Sequence, residues 1–136
     1  MPLALTTQVN QVNGFNANSR PNITLGASAK LPADQRSIDR WFDTSVFSQP
    51  PAFTFGNVAR ALPDVRNPGL GNFDLSLFKN TSFTERLSLQ LRFEAFNAVN
   101  HTNLGGPGTA FGNAAFGVIS TTGPSRTLQV AAKVLF

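Results

Sequence analysis

Residues Arg86–Asn97 read RLSLQLRFEAFN. Leu87, Leu89, Leu91, Phe93 and Ala95 alternate with Ser88, Gln90, Arg92, Glu94 and Phe96. All five of the first set are apolar, against one of five in the second. Side chains along a strand point alternately to opposite faces, so this period of two marks a strand with one oily and one polar side. The pattern returns in Arg126–Phe136, RTLQVAAKVLF, where Leu128, Val130, Ala132, Val134 and Phe136 share one parity. Thr127, Gln129, Ala131, Lys133 and Leu135 hold the other, which is mostly small or polar.

Working outward, GNFDLSLFKN (71–80) sets Phe73, Leu75 and Leu77 against Asp74, Ser76 and Phe78. AAFGVIS (114–120) is a weaker strand pattern. TSFTE, NHTNLGGPGTAFGN and TTGPS separate these runs and carry turn residues. Residues 71–136 are therefore expected to form an antiparallel meander of four strands. Residues 1–70 differ: they hold seven of the nine prolines, with clustered Asn and Gly. Proline removes ladder donors and prevents long regular elements. This half is expected to be loop-rich, with a strand around Leu3–Val9. A short helical turn is expected in SIDRWFD, where Ser37 can cap and Ile38, Trp41 and Phe42 share a face.

Alternation arises in a β-sandwich as well as in a barrel wall. Length separates them, because strands of globular domains usually run about 5–6 residues. Eleven residues (126–136) rise roughly 36 Å, or roughly 26 Å of height at a 45° tilt, close to the ~25 Å apolar band of a transmembrane barrel. Composition agrees. Only 13% of residues are charged, against about 25% in a typical soluble domain. The net charge of +4 comes from dispersed Arg and Lys with no basic run, so nucleic acid is not an expected partner. No 18-residue apolar run exists, so any membrane crossing is by strands. Met1–Leu5 lacks the basic start and apolar core of an export signal. The expected fold class is all-β, the last strands of a transmembrane barrel behind an irregular first half. A complete eight-stranded barrel is not expected, because the proline-rich half offers no four further long strands.

Three stretches carry a family resemblance: RPNITLG through LPADQRSIDRWFDTSVFSQPPAFTFGNVAR, RNPGLGNFDLSLFKNTSFTERLSLQLRFEAFNAVNHTNLG, and RTLQVAAKVLF. In that order they resemble the C-terminal portion of a TonB-dependent outer-membrane receptor, of the Oar-like type with a carboxypeptidase-regulatory-like domain. The plug, the TonB-contact segment, the first strands and the signal peptide of such receptors have no counterpart here. The resemblance implies a wall segment of an energised importer of a bulky solute, in the bacterial outer membrane. Its implied partners are the remaining barrel and plug, membrane lipid and the barrel assembly machinery, with TonB reached only through the missing regions. Phe136 then matches the aromatic residue of the C-terminal assembly signal. Gln90, Arg92, Glu94, Gln129 and Lys133 are the expected lumen residues, in contact with plug or solute. Leu87, Leu89, Leu91, Phe93, Leu128, Val130 and Val134 are the expected lipid-facing residues. In such barrels the terminal strand runs toward the periplasm. With four strands, TTGPS and TSFTE would then lie outside and NHTNLG inside.

Catalysis is not expected. The chain has no cysteine and one histidine, His101, in a turn without metal-ligand partners or a nearby acid. Gly105, Gly106 and Gly108 lack the Gly-Lys-Ser/Thr of a phosphate loop, and Pro107 removes an amide donor. Asp39 and Asp43, flanked by Arg36 and Arg40, read as a local ion-pair cluster rather than an acid–base pair. The sequons at Asn22, Asn80 and Asn100 read as chance matches in an Asn- and Thr-rich chain. Trp41 and the phenylalanines of the first half read as loop anchors or an interfacial girdle before a binding surface. No cofactor is implied. The rival reading is a soluble β-rich binding or adhesion module, separable by its extraction without detergent.

Overall fold

A computed structural model describes residues 1–7 and 20–136. The chain divides into two units. Unit 1 comprises Met1–Pro68 and Leu104–Thr121, and unit 2 comprises Gly69–Asn103 and Thr122–Phe136. Every regular element among the described residues is a strand.

Unit 1 is built from short pairings. β1 (Pro2–Leu3) pairs antiparallel with β5 (Leu62–Arg66), and β3 (Asn22–Ile23) pairs antiparallel with β4 (Phe47–Ser48). β2 (Thr6–Thr7) pairs parallel with β8 (Ala110–Phe111). The strand expected at Leu3–Val9 is thus divided between β1 and β2, and Gln8 and Val9 lie outside the described residues. Elements this short bury little by themselves. The unit is held instead by a core of Leu3, Leu5, Ala29, Phe42, Phe47, Val58, Leu62 and Val65. Phe42, Phe47, Phe111 and Phe116 add edge-to-face contacts, with ring centroids 5.2 to 6.0 Å apart. Edge-to-face stacking sets the positive rim of one ring on the negative face of the next, worth about 0.5–1.5 kcal/mol per pair beyond burial.

Side chains complete the hydrogen bonding that the short strands leave open. Asn57 lies beside β3 like a further strand. Its side chain accepts from the Ile23 amide (2.7 Å) and donates to the Ile23 carbonyl (3.0 Å). Trp41 Nε1 donates to the Arg66 carbonyl at 2.8 Å, and the Arg36 guanidinium lies 5.1 Å from the Trp41 ring centroid. Gly56 packs so tightly that a Cβ there would fall 1.9 Å from the Arg20 carbonyl oxygen.

Two expectations are corrected in unit 1. SIDRWFD forms no helical turn. The amides and carbonyls of Ser37 and Arg40 bond each other reciprocally (3.0 and 3.3 Å), closing a tight turn. Ser37 does cap, with its hydroxyl oxygen accepting from the Arg40 amide. The next amides then turn to distant carbonyls, Trp41 to Gly117 and Asp43 to Ala29. Ile38 consequently stays exposed while Phe42 is fully buried. The second correction concerns AAFGVIS, which is not a fourth meander strand. Gly112 and Gly117 take φ of +89° and +81°, a left-handed conformation that ends extended chain. The stretch folds into unit 1, with Phe116 against its core.

Unit 2 holds the long strands β6 (Leu75–Ser82), β7 (Ser88–Phe96) and β9 (Thr127–Leu135), in the order β6-β7-β9, all antiparallel. The meander therefore has three strands.

Two measurements test unit 1. Trp41, the only tryptophan, reports its unfolding. Phe42→Ala is expected to shift the Trp41 denaturation transition by about 3–5 kcal/mol, leaving amide exchange in β6, β7 and β9 unchanged. The second concerns Asp43. The Ser45 hydroxyl and amide both donate to its Oδ1 (2.7 and 3.1 Å), and Arg40 Nη2 adds a third donor at 2.9 Å. These donors, the Ser45 hydroxyl foremost, hold the Asp43 carboxyl below the ordinary carboxylate range. A depressed folded-state pKa gives stability that is present above the unfolded pKa. It is lost as pH falls through the lower, folded value. The Trp41 transition should therefore weaken below the ordinary carboxylate range, and Asp43→Asn should remove that component of the pH dependence.

Candidate barrel-wall surface

The site is the sheet of unit 2, and its register decides what each face presents. Every residue from Leu75 to Ser82 pairs in sequence with Ala95 back to Ser88, without a bulge. Ser88 to Phe96 pair likewise with Leu135 back to Thr127. Unbroken register carries the period of two across all three strands.

One face collects Leu75 and Leu77 from β6, Leu89, Leu91, Phe93 and Ala95 from β7, and Leu128, Val130, Ala132 and Val134 from β9. Most of this face is open: Leu77 is 67% exposed, Leu128 57% and Val130 76%. Soluble proteins seldom leave so large a contiguous apolar patch uncovered. Leu87, expected on this face, sits one residue before β7. Its carbonyl accepts the Phe83 and Thr84 amides of the connecting turn. Two polar residues share the face: Lys79 pairs with Leu91 and Thr81 with Leu89, as their parity with Leu75 and Leu77 requires.

The opposite face gathers all five expected polar residues. Gln90 lies across from Lys133, Glu94 across from Gln129, and Arg92 across from Ala131. Arg92 Nη1 is 3.8 Å from Glu94 Oε1, and its guanidinium carbon is 5.8 Å from the Phe78 ring centroid. Gln90 Nε2 donates to Asn80 Oδ1 at 2.9 Å. The face is thus a cross-strand polar ladder with Phe78 and Phe96 at its flanks.

The two ends of the sheet differ. At one end Ser82, Ser88 and Leu135 align, and β6 and β7 are joined by the short turn 83–87. Thr84 Oγ1 accepts the Leu87 amide there at 3.0 Å. At the other end Leu75, Ala95 and Leu128 align, and residues 97–126 lead from β7 to β9. TSFTE and TTGPS therefore stand at opposite ends, and NHTN shares the end of TTGPS. The four-strand parity expected from sequence is corrected by the loss of one strand.

Asparagines stitch the long-connector end together. Asn97, buried and at φ +50°, donates from Nδ2 to the carbonyls of His101 (2.9 Å) and Pro124 (3.3 Å), and accepts from the His101 amide. Its own amide donates to Asp74 Oδ1 at 2.9 Å. Asn103 bonds the Gly71 amide and carbonyl and Asn72 Oδ1. The Asn100 side chain accepts from the Arg126 amide. His101 thus belongs to a hydrogen-bonded turn, and no group of three or more His, Cys, Asp or Glu suited to a metal ion occurs among the described residues. All three sequon asparagines have engaged side chains. Asn22 accepts from the Asn57 amide, Asn80 from Gln90 and Asn100 from Arg126. Asp39 and Asp43 do not form a pair in contact; Asp43 bonds Arg40 and Ser45. The clamp role of Asn97 and Asn103 was not legible beyond an Asn-rich turn, because it needs partners up to 32 residues away.

β6 and β9 each keep one edge without a partner strand among the described residues, so the sheet is not closed. No helix among the described residues is long and apolar enough to cross a membrane. No curated protein and no solved structure matches the chain. A family model described as an outer membrane beta barrel domain matches residues 1–129. With that match over nearly its full length, and with a two-faced sheet of membrane-length strands, the chain belongs to the outer membrane beta barrel domain family, whose place is the bacterial outer membrane.

Proposed function

We propose that this chain forms a wall segment of a TonB-dependent, energised solute receptor. In this reading its oily sheet face meets lipid and its polar face lines an aqueous bore. The observation that carries the reading is the uncovered apolar face backed by a cross-strand polar ladder. Nine residues in each of β7 and β9 fall within the ~9–11 needed for a tilted membrane strand. Open strand edges are costly in lipid, so the partners are the remaining barrel strands and a plug, with TonB reached through those regions. The role is structural and transport-related, with no catalytic step and no nucleic acid partner.

Orientation follows from the connectors. Barrels of this membrane have short periplasmic turns and longer external loops. By that rule the 83–87 turn lies on the periplasmic side, and the 97–103 and 122–126 segments at the sheet's other end lie outside. Lys79 lies three register steps from the Ser82 end. There its amine reaches the inner headgroup level by snorkelling along its alkyl stem.

The absence of native cysteine allows clean tests. Single cysteines at Gln129, Ala131 and Lys133 should react with a water-soluble maleimide in bilayers, while those at Leu128, Val130 and Val134 should not. Uniform labelling of both sets would remove the lipid-and-bore reading. In intact cells Ser125→Cys should be labelled from outside and Glu85→Cys should be protected. Uptake by the full receptor should stop when the proton-motive force is collapsed, and uptake that persists would refute energised transport.

A further inference from the structure

The polar ladder contains a notch that its residue pattern alone does not describe. Gln90, Arg92, Gln129, Ala131 and Lys133 surround a concavity of about 290 Å³ on the sheet's polar face. The register explains it. Ala131 lies across from Arg92 and between Gln129 and Lys133 on its own strand and face. Its methyl leaves a gap between the longer side chains of Gln129, Lys133 and Arg92. Four of the five lining residues carry N–H donors, and no carboxylate lines the gap.

Two cations reach it from different strands. Arg92 is steadied by Phe78, 5.8 Å from its guanidinium carbon. Its ion pair with Glu94 is loose at 3.8 Å and its side chain is 46% exposed, so most of its five donors stay available. Lys133 makes no ion pair among the described residues. Gln90 is oriented by its bond to Asn80. A cavity of this size lies at the lower bound of ligand pockets, about 300 Å³, which suits a compact polyanion better than one side-chain carboxylate.

We infer that the Arg92–Lys133 notch over Ala131 binds a carboxylate-bearing solute. The inference rests on the reading that this face lines the bore, and it names the chemical class the bore attracts. A guanidinium fork and an ammonium on adjacent strands take two carboxylates of one solute, and the glutamine amides take its remaining oxygens.

The test is a titration of the purified full chain in neutral detergent with citrate at low ionic strength, followed by amide and methyl NMR shifts of Ala131 and Lys133. Saturable shifts are expected with citrate and none with a dication such as putrescine. Arg92→Gln and Lys133→Gln should each weaken citrate at least tenfold. Ala131→Leu, which keeps both charges and fills the gap, should do the same. Arg86→Gln, in the distant turn, should change nothing. No saturable shift, an undiminished affinity in Ala131→Leu, or equal weakening by Arg86→Gln would overturn the site. Alternating cysteine reactivity along β9 tests the bore reading separately, so the notch can fail while that reading stands.

Discussion

The backbone ladder that joins β7 to both neighbours governs everything else in unit 2. Its side-chain period is two, so a slip of one residue would exchange the faces of a whole strand. Register from Ser88 to Ala95 with β6 and from Ser88 to Phe96 with β9 is what places Val130 beside Phe93 and Lys133 beside Gln90. Neither the oily face nor the polar ladder exists without it. The ladder also sets the ends, because antiparallel pairing puts the short turn and the long connector at opposite limits of the same three strands.

The two units are stabilised by different physics. Unit 1 has an apolar core rich in phenylalanine and little regular structure, so its order comes from burial and from side chains that act as substitute backbone, as Asn57 does beside β3. Unit 2 is nearly the reverse. Its strands are regular and fully paired in the middle, but its large side chains are exposed on the apolar face. Water is a poor solvent for that face, and the hydrocarbon of a bilayer is a good one. The asparagine clamp at Asn97 and Asn103 meets a different need. It satisfies the amides and carbonyls of loop segments at a sheet end, where no neighbouring strand is available.

The notch illustrates how function emerges from pairing rather than from any local motif. Arg92 and Lys133 are 41 positions apart in the chain and become neighbours only because β9 lies beside β7. Ala131 matters for what it omits. Its place between longer residues is visible in RTLQVAAKVLF, yet its meaning depends on the strand across from it.

By itself the sequence determined the long two-faced strand patterns within 71–80, 86–97 and 126–136 and the parity of the five polar residues, and its family resemblance pointed to the outer-membrane barrel class. The strand patterns and their parity follow from periodicity, which is local and needs no partner. It also pointed to a proline-broken first half. Only the tertiary structure decided that AAFGVIS joins unit 1 and that SIDRWFD closes as a turn. It alone decided which ends of the strands lie together. Each of these local outcomes depends on a distant partner: Phe116 against Phe42, and the Trp41 amide on Gly117. A short apolar run has no preference between strand and core loop until such a partner supplies the burial.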